Sequence, residues 1–553
     1  MSAPAEPASL PALRPVRAPS RRWTDPAALG VALGAALVAA LLPLLLTPVL
    51  PIRDGYLHAV RYLVLSGLPL PPALEASYAA DWRLLPNLGL DVAGAGLMRV
   101  LEPLSAMRVL GALAILAPLG GVLALSAALH GRPTLVAALA GGVLAINHIT
   151  IWGFTNFLVG LGLALGGLAL WIALAARPRA QLLAALLLGP PLLMVHGLAF
   201  ALWGLGLGAI EIAAAWQTRR AGGLAPLALA QRLLRLLLLA VGPVLLWARM
   251  PTSGEGAEMQ WVEPVFHRLS GWEAIRAELL RRFNDTVLSV GETGWDGADI
   301  LLGTALWTVL AWGIAKGGLR LHPLVVPATF GWLVLTLLMP SYFLGVRYVT
   351  DRLPLVLLCV LAAGLSPAAG HGKRTALTVT SCLAVICIAD GLLTAASWYR
   401  QGRHYAAFTE GSARLPAART VQLMHLDAAG KRGGGSALAC APLAPLLTLA
   451  GIAAAPTFAN PTQQPLRLSG PLAEAVRSAG RWDNPTQPDG VTVAASLEAG
   501  FDLVISCAGR RSAMEEPMEG RILRRGRNWL VIANPALSIE VPRRALSPST
   551  VLP

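Results

Sequence analysis

The stretch LPIRDGYLHAVRYLVL (50–65) sets Asp54, His58 and Arg61 at spacings of four and three, directly after an apolar run. On a helix these positions share one stripe. A carboxylate there can take a proton, an imidazole can hold one, and a guanidinium can grip an oxyanion. An ionised side chain in deep hydrocarbon costs roughly 3 kcal/mol or more, so the set belongs at a membrane interface. The same spacing fits a plain solvated helix start, with Asp54 against the positive end of the helix dipole. Spacing alone leaves both readings open.

Two further groups have chemical potential. In DWRLLPNLGLDVAGAGLMRVLEPLSAMR (81–108), polar residues interrupt apolar ones at helical spacing. The pattern predicts an interfacial helix starting near Pro86 and Asn87, with Asp91 as a first-turn acid or a group facing a cavity. In GVRYVTDRLP (345–354), Arg347 and Arg352 flank Asp351 just before an apolar run. That cluster reads either as arginines snorkelling to the interface or as an anion clamp, since guanidinium matches phosphate geometry. His148, Asn156 and His196 fall near predicted span ends and read first as packing groups. No pair has the spacing of a metal site, and the sequence indicates no cofactor. Asp390 lies inside the last predicted span, near one end. GxxxxGK[ST], HExxH and GxSxG are absent from the sequence.

The elements that must position these groups are mostly apolar. The 553 residues are 55% hydrophobic and 13% charged, with a mean hydropathy of +0.61; a soluble chain would have about 25% charged residues. The net charge of +14 comes largely from arginines, many in short loops between apolar runs. It therefore reads as membrane orientation, not as nucleic-acid binding. A span needs about 20 apolar residues. Candidate spans are 27–50, 107–129, 133–151, 154–176, 180–196, 197–217, 229–249, 299–317, 322–339, 353–369 and 375–397. The segment 180–217 reads as two spans broken near His196, or as one kinked helix disturbed by Pro190 and Pro191. The basic loops HGRP (130–133), RPR (177–179), QTRR (217–220), KGGLR (316–320) and HGKR (371–374) all fall on one side only if it is two.

With about eleven spans and a cytoplasmic N-terminus, the outer face receives the loop 51–106, the turn 147–156, the loops 250–298 and 340–352, and the C-terminal region. The expected fold is an all-α polytopic membrane domain with interfacial helices in the first outer loop, plus a small C-terminal α/β domain. The divisions are a disordered cytoplasmic tail (1–26), a multi-span domain (27–398) and an extracytoplasmic domain (399–553). In the last, 420–426, 501–506 and 528–534 read as strands, 471–480 as a helix, and 522–541 as a terminal antiparallel set. Cys440 and Cys507 can pair if this domain is extracytoplasmic.

DGYLHAVR (54–61), PNLGLD (86–91), WGFTNFLVGLGLAL (152–165), DRLPL (351–355) and FANPTQQPL (458–466), on this layout of spans, resemble a bacterial subgroup of the GT-C superfamily of polytopic glycosyltransferases. One departure is Arg53, where many GT-C enzymes carry a second acid. The resemblance implies transfer of a sugar from a polyprenyl-phosphate carrier to a lipid, glycan or protein acceptor outside the bacterial inner membrane. It implies Asp54 as general base, His58 as a hydrogen-bonding partner of Asp54 or of the phosphate, and Arg347 and Arg352, backed by Arg61, on the departing phosphate. Asp91 and Asp351 complete the expected substrate-binding set. Two rivals remain from other classes: a lipid or glycan transporter or flippase, and a non-catalytic scaffold for envelope glycan assembly. The near absence of charge at span centres argues against a transport path.

Overall fold

A computed structural model describes residues 26–85, 87–220, 226–250, 269–287, 292–343, 346, 348–368, 372–412, 415, 420–425, 440–455, 464–478, 493–507, 521–525 and 529–535. The expected N-terminal tail, Pro86 and Arg347 lie outside these residues, as do most of FANPTQQPL and the final strand's tail beyond 535.

The helical polytopic architecture expected from the sequence is present. The long helices are α1 (Pro26–Leu46), then, after the first outer loop, α5 (Pro103–His130), α6 (Leu135–Ala145) with α7 (His148–Trp152), and α8 (Thr155–Ala173). They continue as α9 (Pro178–Val195), α10 (Gly197–Arg220), α11 (Pro226–Ala248), α13 (Asp296–Ala315), α14 (Val326–Leu338), α15 (Val349–Gly364) and α16 (Lys373–Ser412). Among the described residues, nine helical segments are long and apolar enough to cross a membrane. α14 and α15 are shorter than their predicted spans. α15 is buried along almost its whole length, so it packs against protein instead of matching a lipid thickness. The segment 180–217 is two helices. His196 takes an extended conformation between them, while Pro190 and Pro191 are accommodated inside α9.

The first outer loop folds into α2 (Gly55–Leu65), α3 (Pro72–Ser77), β1 (Tyr78–Ala80) and α4 (Leu88–Met98), the last being the expected interfacial helix. The loop before α13 contributes α12 (Gly271–Val287).

Contacts between loops sort the molecule into two ends. At one end, the Arg53 and Asp54 amides bond to the carbonyls of Ile151 and Trp152, His148 meets Glu292, and Tyr348 packs on Trp152. At the other, the strands Leu319–Leu321 and Leu365–Pro367 pair antiparallel, and His130 packs edge-on against His322. The expected outer loops gather at the first end and three of the basic loops at the second, the arrangement that two spans in 180–217 require.

The C-terminal region carries a five-stranded sheet. Ala454–Ala455, Val421–His425 and Leu503–Cys507 run parallel, followed by antiparallel Trp529–Ala533 and Arg521–Arg525. Cys440 and Cys507 form a disulfide with their Cα atoms 5.9 Å apart. This region does not stand free. α16 runs unbroken through the expected boundary at 399. β1 pairs antiparallel with Leu466–Leu468, Tyr78 opposite Leu468. One hydrophobic core joins Tyr56, Tyr62 and Met107 to Leu423, Leu503 and Val531. The physical reason is burial: the sheet's apolar residues share this core with α2 and α5, and Phe408 near the end of α16 packs edge-on against Trp529 of the sheet.

Candidate functional site

The geometry of Asp54 starts with a glycine. Gly153 follows α7 at φ +79°, and a Cβ there would lie 2.9 Å from the Asp54 amide nitrogen and closer still to that of Gly55. Only glycine lets these two chain segments touch and takes the left-handed turn without strain. The contact is sealed by hydrogen bonds from the Arg53 amide to Ile151 O (2.8 Å) and from the Asp54 amide to Trp152 O (3.0 Å). Upstream, Asn147 caps α7 by accepting from the Ile149 and Thr150 amides, which sets the turn.

Asp54 sits at the N-cap position of α2, yet its side chain makes no capping hydrogen bond. The carboxylate is therefore not committed to the helix start, and the plain-cap reading loses its support. Asp54 is 8% exposed. Burial raises its pKa from 3.8 to about 6, against the opposing pull of the Arg53 and Arg352 charges. Arg53 Nε lies 3.9 Å from Asp54 Oδ1, and its guanidinium stacks over Trp152 at 4.5 Å.

Arg352 comes from the first turn of α15, three hundred residues along the chain, and is buried. Its guanidinium lies over Phe154 at 4.3 Å and near Phe157 at 5.4 Å. Nε and Nη1 have no hydrogen-bond partner among the described residues. Tyr348, at φ +59°, enters α15 and packs on Trp152 at 4.7 Å. His196, from the break between α9 and α10, meets Phe157 edge-on at 5.4 Å. The result is an aromatic-walled corner that holds a carboxylate and two guanidinium groups.

The other expected residues divide. His58 follows Asp54 by one turn; burial and then the Arg61 charge hold its imidazole neutral, well below the ordinary histidine range. Arg61 does not turn toward this corner. It forms an ion pair with Asp91 at 2.6 Å, the side chains 1% and 2% exposed, and also bonds Gln464 of the C-terminal region. Asp91 is thus the anchor that holds α4 on α2. Asp351 accepts from Arg281 Nη1 at 3.1 Å. Arg281 also holds Glu278 (2.6 Å), Asp285 (2.6 Å) and Thr350 Oγ1 (3.0 Å), which fastens α12 onto the start of α15. Arg281 is a residue the sequence reading passed over. The acid–base spacing in EAIRAELLRRFND (273–285) was its available signal, since i, i+3 and i+4 charges share a helix face. Asn156 Nδ2 donates to Asn87 O at 3.0 Å, tying α8 to the start of α4. Among the described residues, no group of three or more His, Cys, Asp or Glu is arranged to hold a metal ion.

No family model matches the chain, and no curated protein matches it. Among solved structures it is similar to ArnT from Cupriavidus metallidurans bound to undecaprenyl phosphate, at 13% identity and a TM-score of 0.47, covering 94% of this chain and 99% of that one. It is also similar to ArnT from Cupriavidus metallidurans in the apo state, at 13% identity and a TM-score of 0.46, covering 91% and 97%. A likeness at this identity is one of shape and brings no activity with it.

Proposed function

We propose that the protein is a membrane glycosyltransferase. It takes a sugar from a polyprenyl-phosphate carrier and passes it to a hydroxyl-bearing acceptor at the membrane face that carries the C-terminal region. A bond forms from the acceptor oxygen to the anomeric carbon, and the bond from that carbon to phosphate breaks. The acceptor proton goes to Asp54, and polyprenyl phosphate departs with its new charge against Arg352. His58, neutral beside Asp54, positions the carboxylate. Arg347 remains a candidate for the phosphate by sequence alone.

The observation that supports this reading best is Arg352 itself. A buried guanidinium with donors unmet by protein is costly, and a phosphate oxygen is the acceptor its fork fits. It sits near enough to Asp54 that each charge acts on the other's protonation. A carboxylate of pKa about 6 is a base matched to neutral pH.

The proposed setting is the bacterial inner membrane, with a cytoplasmic N-terminus and an extracytoplasmic C-terminal domain. Two facts support it: three of the basic loops lie at the end opposite the site, and the Cys440–Cys507 disulfide belongs in an oxidising compartment.

The test is Asp54→Asn in purified protein supplied with a synthetic polyprenyl-phosphate sugar and membrane-lipid acceptors. Turnover should fall by about 10²–10⁴-fold while carrier binding persists. A scaffold would be indifferent, and a flippase would move the carrier without consuming it. Full turnover in the variant would overturn the reading.

A further inference from the structure

Away from the Asp54 corner, a hollow opens where α1 ends against α16. It is open to the surface and has a volume of about 400 Å³, within the roughly 300–1,000 Å³ of ordinary ligand sites. Its wall includes Leu45 and Leu46 from α1, Arg108 from α5, and Tyr399, Arg403 and Glu410 from α16. Arg108 is fixed there because its Nη2 donates to the carbonyls of Thr47 (2.8 Å) and Pro48 (2.5 Å). On α16, Arg403 stands about 6 Å above Tyr399 along the helix axis, and Glu410 about 10 Å further. Toward the C-terminal end of α16 the order is thus aromatic, cation, anion.

Two apolar stripes lead to this cavity. Val31, Val38 and Leu45 recur every seven residues on α1 and are all exposed; Val385, Ile388, Leu392 and Tyr399 form a matching stripe on α16. The two helices pack so closely that a Cβ on Gly391 would collide with Ala39. The stripes therefore run side by side down one exposed apolar surface, with the cavity at their head.

We infer that this cavity binds the head group of a zwitterionic phospholipid bearing a primary amine. Its phosphate lies against Arg108 and Arg403, its ammonium reaches Glu410, and its acyl chains follow the two stripes. Charge order selects the class. A purely anionic head group would meet the arginines but would set a negative charge beside Glu410. A free phosphate would leave the stripes uncovered. The site is independent of the transferase reading and does not use its residues.

The experiment is native mass spectrometry of the full-length protein, delipidated in detergent and offered phosphatidylethanolamine, phosphatidylglycerol or inorganic phosphate at equal concentration. Phosphatidylethanolamine should be retained at least five-fold better than phosphatidylglycerol. Arg403→Ala should cut that retention five-fold or more, with Arg403→Lys restoring most of it. Glu410→Gln, nearly isosteric, should bring the two lipids to parity. Equal retention of both lipids by the unaltered protein, no effect of either substitution, or displacement of the lipid by inorganic phosphate would each overturn the inference.

Discussion

Gly153 lies against the backbone of Asp54, and that contact sets the carboxylate at the mouth of the helical bundle. The turn after α7 and the start of α2 are about one hundred residues apart in sequence, and only a hydrogen atom fits between them. Gly153→Ala should therefore cost more than the roughly 1–2 kcal/mol of an ordinary left-handed alanine, because the new methyl group also collides with the Asp54 and Gly55 amides. Thermal unfolding in detergent is the measurement. A melting temperature unchanged within error would show that the two segments can part freely.

Asp54 should impose a pH dependence of defined sign. For activity, the base must be ionised, so kcat/KM for the carrier should rise with pH below about 6 and level off above it. For stability, the sign is opposite. A carboxyl whose pKa is raised from 3.8 to about 6 favours the folded state below its unfolded value, and that contribution disappears as pH rises through about 6. Relative to Asp54→Asn, the unaltered protein should lose on the order of 3 kcal/mol between pH 4 and pH 7. Parallel stability profiles for the two proteins would count against a buried, strained carboxyl.

Arg352 should respond to the shape of its replacement. Arg352→Lys keeps a charge but loses the planar fork. The ratio kcat/KM for the carrier should drop about 10–100-fold, on the order of 1.5–3 kcal/mol for a hydrogen bond to a charged group. The readout is steady-state kinetics with folding intact. An unchanged kcat/KM would remove Arg352 from the phosphate.

Arg61 and Asp91 should behave as a structural pair. Deleting one partner leaves an uncompensated buried charge and should destabilise by about 3–5 kcal/mol. The double replacement Arg61→Met with Asp91→Leu should cost far less than the two single changes together. A double-mutant cycle by thermal unfolding measures the coupling. Additive effects would mean the two side chains act separately.

The disulfide should hold the sheet rather than the bundle. Cys440→Ser with Cys507→Ser should lower the stability of the C-terminal region by about 2–4 kcal/mol. Limited proteolysis should then release fragments from beyond residue 412 while the helical part survives. Equal protease resistance of the two forms would show that the bridge adds nothing.

Residue order along the chain was enough to find the helices, because a run of apolar residues and a 3.6-residue period are local properties. It was enough to find the break at His196, since the alternation of basic loops would fail without it. It also placed Asp54 at the edge of the first span, the position that local hydrophobicity assigns it. What each polar group bonds to was beyond its reach. Arg61 meets Asp91 thirty residues away and Gln464 four hundred and three away; Asp351 meets Arg281 across seventy. Asp351 and Arg352 are adjacent in sequence, yet successive residues on a helix point about 100° apart, so Asp351 meets Arg281 of α12 while Arg352 lies in the aromatic corner. How the C-terminal region joins the bundle was beyond residue order for the same reason. A change in composition marks where sheet sequence begins, but not that β1 supplies a partner strand to Leu466–Leu468 or that α2 shares a core with the sheet. The chain by itself determined which segments are apolar and helical and where its first polar stretch stands relative to them. Tertiary packing alone decided which charges neutralise one another and which guanidinium is left facing the carboxylate, because those pairings depend on distances that folding creates.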